Sequence, residues 1–96
     1  MRLTPHEQAV IKAASLAHFD APVRLFGSRL IDAKRGGDID LYIESPLKGD
    51  QAFARELAMT ADIWRKLGEQ KIDIVVSDGE HLLPIHERAR QEGVWL

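Results

Sequence analysis

Asp38-Ile39-Asp40-Leu41-Tyr42-Ile43 and Lys71-Ile72-Asp73-Ile74-Val75-Val76 each alternate between polar and apolar residues. Successive side chains of a strand point to opposite faces, so this period of two predicts two half-buried strands. In the first, Asp38 and Asp40 share a face and Ile39, Leu41 and Ile43 share the other. In the second, Asp73 lies opposite Ile72, Ile74 and Val76. If both strands bury their apolar sides under the same helices, the three aspartates emerge together on the uncovered face.

The rest of the chain supplies those helices. Thr4, Pro5 and Glu7 form a helix start with a capping box, and Ala9, Val10, Ala13, Leu16 and Ala17 recur at helical spacing to about His18. Val23 to Phe26 is a short β-prone run ending at Gly27. Leu30 to Gly37 reads as a polar loop, and Ser45-Pro46 and Lys48-Gly49-Asp50 as turns. From Gln51 to Leu67 the helical period returns, with Phe53, Leu57, Ala61 and Trp64 spaced to share one face, and Gly68 stops the helix. A short final helix is expected over about 83–91. The order helix, strand, strand, helix, strand, helix predicts a small sheet with helices on one face.

Composition bounds the function. At 96 residues the chain reads as a single domain, 1–96. Hydrophobic residues make up 45% and charged residues 29%, as in an ordinary globular fold. A net charge of −2 argues against strong, sequence-independent nucleic-acid binding. With no cysteine, disulfides, thiolate metal sites and cysteine nucleophiles are excluded. No apolar run is long enough to cross a membrane, and the first residues lack the apolar region of a secretory signal. A cytoplasmic location is expected.

Three clustered carboxylates repel one another unless something neutralises them. A hard divalent cation does so, and Mg²⁺ takes a few carboxylates and fills its remaining positions with water and phosphate oxygens. Two such ions can serve an in-line displacement at phosphorus. Asp-x-Asp alone is common on the solvated side of an amphipathic sheet. Asp is nevertheless depleted in strands, and three at matched positions favour a metal site at Asp38, Asp40 and Asp73. Gly27-Ser28 follows the first strand directly. A glycine there lets backbone amides approach a ligand, and the Ser28 hydroxyl can bond a phosphate oxygen. By itself the dipeptide is ordinary turn material.

Leu25-Phe26-Gly27-Ser28-Arg29 followed by Gly37-Asp38-Ile39-Asp40-Leu41 resembles the signature of the DNA polymerase β-like nucleotidyltransferase superfamily. More closely, it is similar to the minimal nucleotidyltransferase (MNT) domains of prokaryotes. The ending Pro84-Ile85-His86-Glu87-Arg88-Ala89-Arg90-Gln91-Glu92-Gly93-Val94 is also similar to the tail of those domains. The likeness runs from about Val23 to the C-terminus, and the two motifs are its specific part. It implies an α+β fold with a small mixed or antiparallel sheet and helices behind it. It further implies that Gly27 and Ser28 hold a triphosphate, that Asp38 and Asp40 bind two Mg²⁺ ions, and that Asp73 helps one of them and serves as base toward the attacking hydroxyl. Many relatives have Ser where Gly37 stands, and the helical domain with which larger members grip base and acceptor is missing. Minimal domains of this kind are often encoded beside a HEPN-domain toxin, so the resemblance implies an antitoxin that adenylylates its partner.

Other residues are weighed beside these. Arg29 adjoins Ser28 and is the better candidate for offsetting phosphate charge; Lys34 and Arg35 read equally well as a solvated loop. The facing of Arg24 is open. Tyr42 shares the aspartate face by parity and either borders the nucleotide or packs an edge. Trp64 and Trp95 read as core or interface anchors, and His6, His18, His81 and His86 lack metal-ligand spacing. The expected activity is Mg²⁺-dependent transfer of AMP from ATP, or of another nucleotide from its triphosphate, to a protein hydroxyl. The rivals are an antitoxin that neutralises by binding alone and transfer to a small molecule.

Overall fold

A computed structural model describes residues 3–27 and 38–96 of the chain. The elements run α1 (Pro5–Phe19), β1 (Val23–Phe26), β2 (Ile39–Glu44), α2 (Gly49–Leu67), β3 (Ile72–Ser77), α3 (Pro84–Glu92) and β4 (Val94–Trp95). The α1 start is the expected capping box. The Thr4 hydroxyl accepts from the Glu7 amide at 3.1 Å, and the Glu7 carboxylate accepts from the Thr4 amide at 2.9 Å. Asp20, left-handed at φ 52°, ends the helix, and the buried Ser15 hydroxyl donates to the Ala21 carbonyl at 2.7 Å to fix the turn into β1.

The strands form a mixed α+β sheet in the order β3-β2-β1-β4. β1 pairs antiparallel with β2, from Val23↔Ile43 to Phe26↔Asp40, and β2 pairs parallel with β3, from Ile39↔Ile72 to Glu44↔Ser77. Parallel neighbours cannot be joined by a hairpin, and α2 is the crossover between them. Val23, Leu25, Ile39, Leu41 and Ile43 are buried beneath Ile11, Ala14 and Phe19 of α1 and Met59 and Ile63 of α2. The parity of β2 and β3 is as expected: apolar residues face these two helices and the aspartates face away.

Three expectations change. Periodicity along α2 singles out Phe53, Leu57, Ala61 and Trp64, but the helix buries Ala52, Met59 and Ile63 and leaves that stripe outward. Likewise α1 turns Val10, Ile11, Ala14, Ser15 and Phe19 inward, while Leu16 is exposed. Both helices carry two apolar stripes, and periodicity cannot say which one the sheet takes. Next, α3 does not join the other helices: its buried Ala89 packs with Phe26 and Tyr42 on the opposite face, against Val75. The aspartate face is therefore partly roofed. Finally, the chain after α3 forms β4, pairing antiparallel with β1 through Arg24↔Trp95 and Leu25↔Val94. Two residues are too few for alternation to reveal a strand.

Candidate active site

Asp40 stands at the middle of the candidate site, and two strand pairings put it there. Across one edge of β2 its partner is Asp73, and across the other it is Phe26, the residue before Gly27. Asp38 precedes Asp40 by two residues, at the mouth of the strand. Gly27 has φ +79°, a conformation that glycine adopts without strain. A Cβ on Gly27 would collide with the Asp40 carboxylate oxygen and lie 3.1 Å from its Cγ. The backbone at Gly27 thus approaches the Asp40 carboxylate so closely that only a residue without a side chain fits.

The electrostatics follow from this crowding. Burial raises the Asp40 pKa above its ordinary value, the neighbouring charges of Asp73 and Asp38 raise it further, and the Arg88 guanidinium opposes them. Asp38 is also offered a counter-charge by Lys71, whose Nζ lies 3.4 Å from its carboxylate. The donor set is all oxygen and carries surplus negative charge, which fits a hard divalent cation. Asp40 and Asp73, paired across the strands, could offer two such ligands, and Asp38 a third only on leaving Lys71. The three aspartates are not drawn so tightly together that an oxygen of each lies within 4.8 Å of the others. Among the described residues that spacing is met by Asp78, Glu80 and His81. There the Asp78 carboxylate is already engaged: it accepts from the Glu80 and His81 amides at 2.8 and 3.0 Å and pairs with Lys48 at 3.3 Å. That group closes a turn.

Arg88 has no assigned role in the sequence reading. It belongs to Arg88-Ala89-Arg90, where two cations flank the small residue that seats α3 on the sheet. That pattern was the available signal. The Arg88 guanidinium pairs with Glu92 at 2.9 Å, and its charge is near enough to act on Asp40. Arg90 donates to Glu44 at the other end of the same face and holds its carboxyl below the usual glutamate range. The Tyr42 hydroxyl also donates to Glu44, at 2.8 Å. Tyr42 is buried under α3, so of its two readings packing is the one seen. Arg24 faces the same side, two pairings along the sheet from Asp40, with its guanidinium 4.1 Å from the Trp95 ring. Trp64 is exposed, and its indole N–H donates to the Gln70 carbonyl at 2.7 Å.

A cleft of about 420 Å³, lined by Lys48, Gly49, Phe53, Ser77, Asp78 and His81 among others, opens at the C-terminal ends of β2 and β3. The aspartates lie at the N-terminal ends of these strands, so the cleft and the acidic cluster are separate places. Ser28, Arg29, Lys34, Arg35 and Gly37 lie outside the described residues. No protein-family model matches the chain, and no curated protein is similar enough to count as a relative. No helix among the described residues is long and apolar enough to cross a membrane.

Proposed function

We propose that the chain is a Mg²⁺-dependent nucleotidyltransferase of the minimal type, an antitoxin that transfers AMP from ATP to a hydroxyl of a HEPN-domain toxin. The observation that carries this reading is the packing of the Gly27 turn against Asp40, with Asp73 alongside. The two segments of the motif, separated in sequence, meet at one carboxylate.

In this reading Asp38, Asp40 and Asp73 hold the metal, two ions in the complete site. Bound there, Mg²⁺ supplies positive charge to the α-phosphate and to the departing pyrophosphate. The protein's own groups do the rest. The backbone at Gly27, unobstructed by a side chain, lines the triphosphate, and the sequence motif assigns Ser28 and Arg29 to the same phosphates. Asp73, more exposed than Asp40, accepts the proton of the attacking hydroxyl. Arg88 offsets negative charge from the α3 side.

Incubation with α-labelled ATP, Mg²⁺ and the HEPN-domain protein tests the proposal. Label is expected on the partner and is lost with Asp38→Ala/Asp40→Ala. Absence of label in the wild type, with neutralisation undiminished in the double variant, would replace the enzyme by an antitoxin that acts through contact. Label on a small hydroxylated acceptor alone would change the substrate class.

A further inference from the structure

A cation already stands among the aspartates. Lys71 Nζ lies 3.4 Å from the Asp38 carboxylate, with the two side chains 74% and 38% exposed. Counting back by two from Asp73 and from Asp40, Lys71 and Asp38 continue the aspartate face one step ahead of the Ile39↔Ile72 pairing. The backbone is held there at Lys71 and at the residue before it. The Ile39 amide donates to the Lys71 carbonyl at 3.0 Å, and the Trp64 indole N–H donates to the Gln70 carbonyl. The base of the Lys71 side chain is thus fixed beside Asp38, while its ammonium, on a flexible four-carbon stem, stays free to move. An exposed pair of this kind is weak, worth only a few-fold in equilibrium, and opens readily.

We propose that Lys71 is the resident counter-ion of Asp38, and that on metal loading its ammonium passes to the phosphates of the bound nucleotide. The inference rests on the nucleotidyltransferase reading above and adds to it a residue outside the sequence motif. Asp38 cannot give one oxygen both to a divalent ion and to an ammonium, so the two cations compete for it. The divalent ion, with twice the charge and a preference for carboxylate oxygens, prevails. The ammonium is then left beside a like charge and without its carboxylate. A triphosphate held at the same metal brings negative charge to that spot, and phosphate oxygens accept readily from a lysine ammonium. Competition and handover have opposite signs. Removing the ammonium should help the metal and hurt the nucleotide, whereas losing a residue that merely supports the strand would weaken both.

Two binding measurements on the full chain read the outcome. In the first, Mn²⁺ alone is titrated and the free ion is followed by electron paramagnetic resonance. Lys71→Met should bind Mn²⁺ roughly two- to fivefold more tightly than the wild type. In an Asp38→Asn background the same substitution should change nothing, because the carboxylate being contested is gone. In the second, calorimetry with α,β-methylene-ATP in saturating Mg²⁺ reads nucleotide binding without transfer. Lys71→Met should weaken it by about tenfold, and Lys71→Arg, which keeps the charge, should stay within about threefold of the wild type. Mn²⁺ affinity that is unchanged or weaker in Lys71→Met would overturn the proposal. So would a gain that persists without Asp38, which would mark a diffuse field effect, or nucleotide affinity indifferent to Lys71. A wild type that takes up no Mn²⁺ would instead remove the metal reading itself, and this inference with it.

Discussion

Replacing Gly27 by alanine should impose two separable penalties. Holding an L-residue at φ +79° costs about 1–2 kcal/mol. The new methyl group would also press into the Asp40 carboxylate, and shifting that side chain adds about 1–2 kcal/mol. Together these give about 2–4 kcal/mol, or roughly 10–20 °C in melting temperature for a domain of this size. Gly49 is the control: it too has positive φ, +56°, but a Cβ there meets nothing within 4 Å. Gly49→Ala should lose only the backbone part, about 1 kcal/mol. Urea unfolding of Gly27→Ala, Asp40→Ala and the pair forms a double-mutant cycle. Once the carboxylate is gone only the φ strain remains, so Gly27→Ala should be milder by about 1–2 kcal/mol in the Asp40→Ala background. A coupling near zero, or a Gly27→Ala protein as stable as Gly49→Ala, would refute the close approach on which the site is built.

Other outcomes follow from burial and charge. Because the folded-state pKa of Asp40 is raised, its contribution to stability is present at low pH and is lost as pH climbs through that raised value. Asp40→Asn should therefore melt higher than the wild type at neutral pH in a chelator, while losing the Mg²⁺-dependent rise in melting temperature expected of the wild type. Cation affinity, measured by calorimetry, should strengthen with rising pH over the range in which Asp40 ionises. Glu44 has the opposite sign: its pKa is lowered chiefly by Arg90, so its stabilisation holds above the normal glutamate range and disappears as pH falls through the depressed value. Glu44→Gln should flatten that acid limb of the stability profile. Ile63→Ala should cost about 2–5 kcal/mol in urea, whereas Leu57→Ala should stay within about 0.5 kcal/mol.

What the sequence disclosed depended on whether a signal was local. Alternation in β2 and β3 placed the aspartates on one face because parity is a property of each strand by itself. The Thr4 cap was legible for the same reason. The inward side of α2 was not, since Phe53, Leu57 and Trp64 form as good an apolar stripe as Ala52, Met59 and Ile63. Only the shape of the sheet decides between them. The position of α3 was hidden likewise: a single buried alanine gives no periodic signal, so neither Arg88 beside Asp40 nor Arg90 beside Glu44 could be foreseen. The Gly27–Asp40 contact was suggested by the motif, but its closeness comes from the antiparallel pairing of Phe26 with Asp40.

Ile39-Asp40-Leu41 and Ile72-Asp73-Ile74 are near-copies lying side by side, residue for residue. Sliding either strand by one position would relieve the repulsion between the two acids, but it would drive an aspartate into oil and strand its isoleucines in water. The greasy underside of the sheet therefore acts as a ratchet that forbids the escape the charges would choose. Mutations that loosen the layer beneath, far from any ligand, should let the acidic pair drift apart.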